Sequence, residues 1–419
     1  MRRSLIIGIL MLLSFTLSQA QEASTAVVGV RDNDLILVNG DEEIVIAEAR
    51  DNYWYYPLDA NDNGDLLYMA RSLQFPDLPD ELYVYDGESR LITSDFIGDC
   101  PPNFIDNEHI TYVSSEVLEE ITTRRGVRDY IDFVMPIVSY NWRDDEIIQL
   151  ETVEIPDINL RWTIDPYDFF GFVVAQEQSI ARIFSANTER MVIGNGPCWN
   201  SNGNDLNIID DNLIGIPDRL INPTVTFSSD LTQAVVMHEK GLGNNLLSIY
   251  DLESGDSFIN EVEDNIEEGY RQFYGLHWGQ NDLIYFSSSR MVDSFEQVSN
   301  DAMYTIFSSF RQYHRIPFAE SSIFQYEPET DTLSLWHFAP NTFGIRRIEV
   351  QGNHIYWSET PDVMSAILSA ENSGFDESLS DDEIIQLYLL PDVYRMSLEG
   401  GEPELVAENL QRFITISMP

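Results

Sequence analysis

Basic charge is scarce in this chain. Its 419 residues hold 23 Lys and Arg against 71 Asp and Glu, Lys240 is the only lysine, and the formal net charge is -48. A surface this negative repels nucleic acid and anionic lipid, so both are set aside as partners. Cysteine is nearly absent, with only Cys100 and Cys198. In an oxidising compartment two cysteines more often pair than not, which leaves a Cys100–Cys198 disulfide as an open expectation. Long apolar runs are missing after the first 20 residues, so no later segment reads as a spanning helix. No Gly-Xaa-Ser-Xaa-Gly elbow marks a serine hydrolase. The six histidines, His109, His238, His277, His314, His337 and His354, include no pair at the i, i+4 spacing of a helical zinc site. Acidic pairs such as Asp144-Asp145 and Asp381-Asp382 are too common in so acidic a chain to name a glycosidase pair.

The N-terminus reads as a processing signal: Arg2 and Arg3, an apolar run from Leu5 to Leu17, and a small-residue cleavage site at Ser18-Gln19-Ala20. The expectation is removal of residues 1–20 and export of residues 21–419 as a secreted or periplasmic protein. An uncleaved anchor is the alternative, but the run is shorter than the roughly 20 apolar residues that a spanning helix needs.

What the rest of the chain has is repetition. In Leu276 to Phe286 the aromatic Trp278 closes a short strand, Gly279 to Asp282 make a polar turn, and Leu283-Ile284-Tyr285-Phe286 form an apolar strand. The same unit returns at Tyr55 to Met69, with the hairpin Leu82 to Ile92 after it. Further copies lie at Pro101 to Val113, Arg161 to Val174, Cys198 to Ile209, Val225 to Met237 and Arg347 to Trp357, the last followed by a hairpin from Val393 to Val406. Ala26–Val30, Asp34–Val38 and Glu43–Ala47 are three strands of a module that lacks its innermost one. The lone Phe413-Ile414-Thr415-Ile416-Ser417 is positioned to supply it. Four short antiparallel strands per module, repeated this often, predict an all-β fold, a single β-propeller of four-stranded blades closed by its terminal strands. Burial on both faces explains strands that are continuously apolar. There are eight candidate blades; the module around Trp199 is so short that seven is the alternative. Stacked solenoids and paired β-sandwiches are the competing folds. Counted this way, one whole module separates Cys100 from Cys198, a severe test for bridged Cα atoms that must lie within about 7 Å.

Phe227-Ser228-Ser229-Asp230, Trp199-Asn200-Ser201-Asn202-Gly203 and the Leu-Tyr-Val-Tyr-Asp-Gly run at Leu82 to Gly87 resemble the repeats of TolB-like, or WD40-like, propellers, and those that precede the hydrolase domain of prolyl-oligopeptidase-type enzymes. The Ser-Pro-Asp-Gly turn usual in that family is never complete here. The resemblance implies a binding scaffold and carries over no catalytic residue.

Three stretches interrupt the repeats, Ser115 to Tyr130, Ser288 to Ser321 and Ser358 to Leu390. All fall between second and third strands and should crowd one face, where surface loops on a rigid scaffold often carry function. Arg124, Arg125, Arg311, His314 and Arg315 concentrate positive charge in them and are the candidate binding residues, while Asp376 to Glu383 is strongly negative. Asp59-Ala60-Asn61-Asp62-Asn63-Gly64-Asp65 matches the first half of a calcium loop, making Asp59, Asn61, Asn63 and Asp65 candidate ligands; the twelfth position is Ala70 where a bidentate glutamate belongs. The same stretch is also an ordinary Asn-Gly turn. No other cofactor is implied. Trp162, Trp199, Trp278 and Trp357 suit sugar or peptide contacts, or packing between blades. The function these observations favour is an exported, non-catalytic scaffold for a protein, peptide or envelope polymer such as a polysaccharide. The alternative is a sugar-acting lyase or hydrolase with its site in the central channel.

Overall fold

The computed structural model describes residues 24–73, 79–98, 102–125, 128–156, 192–193, 207–208, 221–228, 233–239, 245–251, 257–260, 270–279, 281–292, 318–340, 342–361 and 390–418. Every regular element among them is a β-strand. Five sheets have four antiparallel strands, one has five, and a two-stranded pair joins Val192–Ile193 to Asn207–Ile208.

From the innermost strand outward, the first large sheet is Gln411–Met418, Ser24–Arg31, Asp34–Asn39 and Glu42–Ala47. The second is Tyr53–Ala60, Leu66–Ser72, Glu81–Tyr85 and Ser89–Thr93, and the third is Asn103–Phe104, His109–Val113, Arg128–Asn141 and Glu146–Pro156. The fourth is Ile221–Phe227, Gln233–Glu239, Asn245–Asp251 and Ser257–Asn260, and the fifth Tyr270–Trp278, Ile284–Val292, Phe318–Glu327 and Thr332–Pro340. Thr342–Gln351, His354–Pro361, Asp392–Ser397 and Glu404–Ala407 make the sixth. In all of them chain order is spatial order, the simplest path for hairpin-connected strands, with one exception. The first sheet takes its innermost strand from the far end of the chain: Ala26 pairs with Ile416, Val27 with Thr415 and Val28 with Ile414.

Alternation of side chains along each strand builds the cores. Leu66, Tyr68 and Ala70 meet the first sheet's Ala26, Val28 and Leu35, while Leu67 and Met69 meet Phe104, Ile110 and Tyr112 of the third. Ile284 and Phe286 pack on Val235 and Leu247 of the fourth sheet, and Tyr285 turns to Ile345 and Ile348 of the sixth. Tyr356 and Val393 then pack on Val27, Ile36 and Phe413 of the first. Second strands are thus buried on both faces, and in Leu66–Ser72 every residue is buried. Trp278 and Trp357 lie inside these layers, 7% and 0% exposed, so their role is packing between sheets. Trp162, Trp199, Cys100 and Cys198 lie outside the described residues, and with them the module placed at Arg161 to Val174.

The innermost strands are neighbours in the order fourth, fifth, sixth, first, second, third sheet. The boundaries of the interrupting stretches need correction. Ser288–Val292 and Phe318–Ser321 are paired strand, Ser289 opposite Ser321 and Arg290 opposite Glu320. Ser358–Pro361 likewise continues its strand. These ends look like loop because they are rich in serine and acidic residues, yet Ser287, Ser288, Ser321 and Ser322 are fully buried. Two of these hydroxyls bond to the sixth sheet, Ser287 Oγ to the Ile345 carbonyl and Ser321 Oγ to the Thr342 carbonyl (2.8 Å), and Ser321 also joins Ser289 at 2.7 Å, while the buried Ser288 hydroxyl has no hydrogen-bond partner among the described residues. In the third sheet Glu119–Arg125 pairs with the N-terminal half of Arg128–Asn141, turning Ser115 to Tyr130 into a hairpin that prolongs the blade.

Candidate functional site

An innermost strand is paired on one side only, so half of its N–H and C=O groups face inward without a ladder partner. The sequence answers this at one repeat position. Asp59 stands opposite Leu67, Asn103 opposite Thr111, Thr226 opposite Val235, His277 opposite Tyr285 and Glu349 opposite Tyr356. All five sit one residue before the apolar or aromatic residue that ends the innermost strand's core, namely Ala60, Phe104, Phe227, Trp278 and Val350. In the first sheet the same place is held by Ile414, opposite Val28.

Two of these side chains, Asp59 and Glu349, reach to the next sheet, whereas Asn103 Nδ2 donates to the carbonyl of its strand neighbour Phe104. Asp59 accepts from the Phe104 backbone N–H at 2.7 Å, and from Ala60 N–H at 2.9 Å. Glu349 accepts from the N–H and the hydroxyl of Thr415, at 2.6 and 2.7 Å, and its other oxygen holds Arg347. Two residues further along, Gln351 Nε2 donates to Ser417 Oγ at 2.6 Å. Two carboxylates at equivalent positions thus cap the inward N–H of the following sheet, a charge-assisted bond between blades.

Electrostatics couples four of these groups. Burial pushes the Asp59 carboxyl up to about 6; its two backbone bonds and Arg347 oppose that shift, and Glu349 adds to it. Burial pushes the His277 imidazole down to about 4, with Glu349 opposing and Arg347 reinforcing. At neutral pH this leaves an ionised Asp59 held against its environment and a neutral His277.

In the calcium-like stretch Asp59, Asn61 and Asp65 are engaged by protein donors. Asp59 faces Phe104, whereas Asn61 Oδ1 accepts from the N–H groups of Asn63 and Asp65, both at 3.0 Å. Asp65 Oδ2 takes bonds from Asn61 Nδ2 and Arg143, both at 2.9 Å. Among the described residues no three His, Cys, Asp or Glu side chains are gathered as a metal ion needs. Of the candidate basic residues, Arg124 stands opposite Asp129 and Arg125 opposite Arg128 at the hairpin tip; Arg311, His314 and Arg315 lie outside the described residues. His109 pairs with Asp106 (3.0 Å), and His337 lies 3.4 Å from Glu359 beneath the Trp357 ring. Reading the sequence by motif missed Asn103, His277, Arg347 and Glu349. For Asn103, His277 and Glu349 the signal was present, a polar residue just before the apolar closer of the innermost strand; Arg347 had no such signal.

Four-stranded sheets packed face to face, with their innermost strands side by side, define a protein of the β-propeller class, and the chain resembles TolB-like propellers. Among solved structures it is similar to TolB from Acinetobacter baumannii, at 9% identity over 94% of this chain and 66% of that one, TM-score 0.41. It is also similar to the β-propeller domain of the Trilobed protease from Pyrococcus furiosus (11% identity, 93% and 96% covered, TM-score 0.45). A third similar structure is an oligogalacturonate lyase from Vibrio parahaemolyticus (10% identity, 92% and 86% covered, TM-score 0.43). The chain spans just under two thirds of the TolB length. No family model matches it, and no curated protein matches it. No helix among the described residues is long and apolar enough to cross a membrane.

Proposed function

We propose that this protein is an exported, non-catalytic β-propeller, closed into one ring, that binds a protein, peptide or envelope polymer on the face carrying its elaborated second-to-third connections. The observation that carries this reading is the use made of the inner-strand carboxylates. The charges of Glu349 and Arg347 act on both Asp59 and His277, as an enzyme could use, but Asp59 and Glu349 are each engaged by backbone N–H groups of the next sheet. They hold blades together and are not presented to a substrate. Ring closure is supported by the order of the innermost strands and by the pairing of Ser24–Arg31 with Gln411–Met418. Residues 157–220 have room for one blade the length of Tyr53–Thr93 and are short for two, so seven blades suit the chain better than eight. Export rests on the N-terminal signal.

Because Val292 pairs with Phe318, residues 293–317 can be replaced by a short glycine turn without shortening Ile284–Val292 or Phe318–Glu327. The melting temperature should hold, while capture of envelope components by the immobilised protein should be lost. Retained capture with a normal melt would move the site to the channel or the opposite face. The sugar-acting alternative draws on the shifted protonation of Asp59 and His277; turnover of an oligosaccharide that disappears in Asp59→Asn would establish it.

A further inference from the structure

The hairpin that prolongs the third sheet leaves one backbone edge open. Arg128–Asn141 is covered along one side by Glu146–Pro156, which reaches back as far as Asp132. Its other side is shared: His109–Val113 takes Ile137 to Asn141, and Glu119–Arg125 takes Arg128 to Val134. Among the described strands Glu119–Arg125 has no second neighbour. Alternate residues along it therefore turn their N–H and C=O groups away from the sheet. The approach to this edge is solvated, with Ser115 to Glu120 and Thr122 all exposed.

That edge carries a sequence whose charges are ordered about its centre. It reads Glu-Glu-Ile-Thr-Thr-Arg-Arg, with two acids before the neutral residues and two bases after them, and Thr122 in the middle. The strand it already pairs with neutralises neither end. Glu119 stands opposite Val134 and Glu120 opposite Phe133, whereas Arg124 stands opposite Asp129 and Arg125 opposite another base, Arg128. The base of the hairpin is thus left acidic and its tip basic. An edge protected from self-pairing by charge needs only one sign. This one carries both, in the order that a copy of itself satisfies.

We propose that Glu119–Arg125 is a homodimer interface, pairing antiparallel with the same strand of a second copy about a two-fold axis at Thr122. Glu119 then stands opposite Arg125 of the second copy and Glu120 opposite Arg124, each twice by symmetry. Parallel pairing would set Glu119 on Glu119 and Arg125 on Arg125, and antiparallel slippage by two residues would set every charge against a neutral position. The charges therefore select this register. Strand addition of this kind makes one continuous sheet through both hairpins. The same register carries Leu118 and Val117, 45% and 42% exposed, to the tip of the second hairpin, where apolar surface leaves water. Replacing residues 293–317 leaves this strand untouched, so partner capture and self-pairing fail separately.

Sedimentation velocity of residues 21–419 at rising concentration tests it, in physiological salt to screen the general repulsion of a chain whose net charge is -48. A monomer–dimer equilibrium in the micromolar range is expected. Two charge-swapped variants are compared, Glu119→Arg with Glu120→Arg, and Arg124→Glu with Arg125→Glu. Each alone should dimerise at least about tenfold more weakly, because attractive cross-strand pairs become repulsive. An equimolar mixture of the two should recover the dimer, since every basic edge then meets an acidic one. Thr122→Cys reads the register without any charge change: at the axis it meets its own copy within the roughly 7 Å that a disulfide spans, so mild oxidation should link it into covalent dimers that the parent does not form. The proposal is overturned by a parent that stays monomeric into the high micromolar range, or by dimers that survive both swaps. It is overturned equally by a mixture of variants that melt like the parent yet do not pair, or by Thr122→Cys chains that cross-link no faster than the parent.

Discussion

Asp59 and His277 occupy the same repeat position and titrate in opposition. The folded protein keeps a proton on Asp59 up to about pH 6, whereas the unfolded chain releases it near 3.8; stability therefore falls as pH rises through that window. His277 is neutral in the folded protein down to about pH 4 and takes up its proton near 6.5 when unfolded, so its contribution rises with pH over nearly the same window. Each effect is on the order of 3 kcal/mol, and in the intact protein they largely cancel. Removing one should expose the other. Between pH 4.5 and 6.5, Asp59→Asn is expected to gain stability with rising pH relative to the parent, and His277→Gln to lose it, as read by urea unfolding at several pH values. Arg347 and Glu349 face both groups and are common to all three proteins. Identical pH slopes for parent and variants would mean that the burial assigned to these side chains is wrong. Neither partner was legible by motif: Asp59 reads as a turn or calcium residue because Asn61 to Asp65 just after it are polar, whereas its hydrogen-bond partner, Phe104, is brought close by the packing of the next sheet.

Strands were far more legible than side-chain roles. Apolar runs beside Asn-Gly turns give Asp34–Asn39 and Leu66–Ser72 within a residue or a few, because two-face burial demands an uninterrupted apolar run. Reading failed where small polar residues are buried. Ser287 to Ser289 and Ser321 to Ser322 carry no apolar signal, and the carbonyls that accept from Ser287 and Ser321 come from another sheet. The bulge at Gly29 was equally hidden, because its cause is a strand almost four hundred residues away. Gly29→Ala should lower stability by about 1–3 kcal/mol through overpacking against Leu410 and Gln411, measured as a shift in denaturant midpoint at constant slope. Gly40→Ala, with nothing near its Cβ position, should cost less, from its left-handed φ of 60° alone.

The whole molecule depends on its terminal strand. Phe413 is 0% exposed and Ile414 and Ile416 are 3% and 1%, bridging the first sheet to the second and sixth. Phe413→Ala should cost about 3–5 kcal/mol, and removing residues 411–419 should lower the melting temperature much further; an unchanged melt would count against closure. The net charge of -48 acts at this scale too. Self-repulsion weakens the compact state and salt screens it, so the melting temperature should climb as sodium chloride is raised from about 10 mM to about 500 mM. The pairing of Val28 with Ile414 also sets an order of events in time. The strand that completes the first sheet is the last of the described strands to leave the ribosome, so the first sheet stays open throughout synthesis. A product that stops short of Gln411 keeps Ala26 to Val30 as a bare apolar edge, a form that proteases can tell from the finished protein without any dedicated tag.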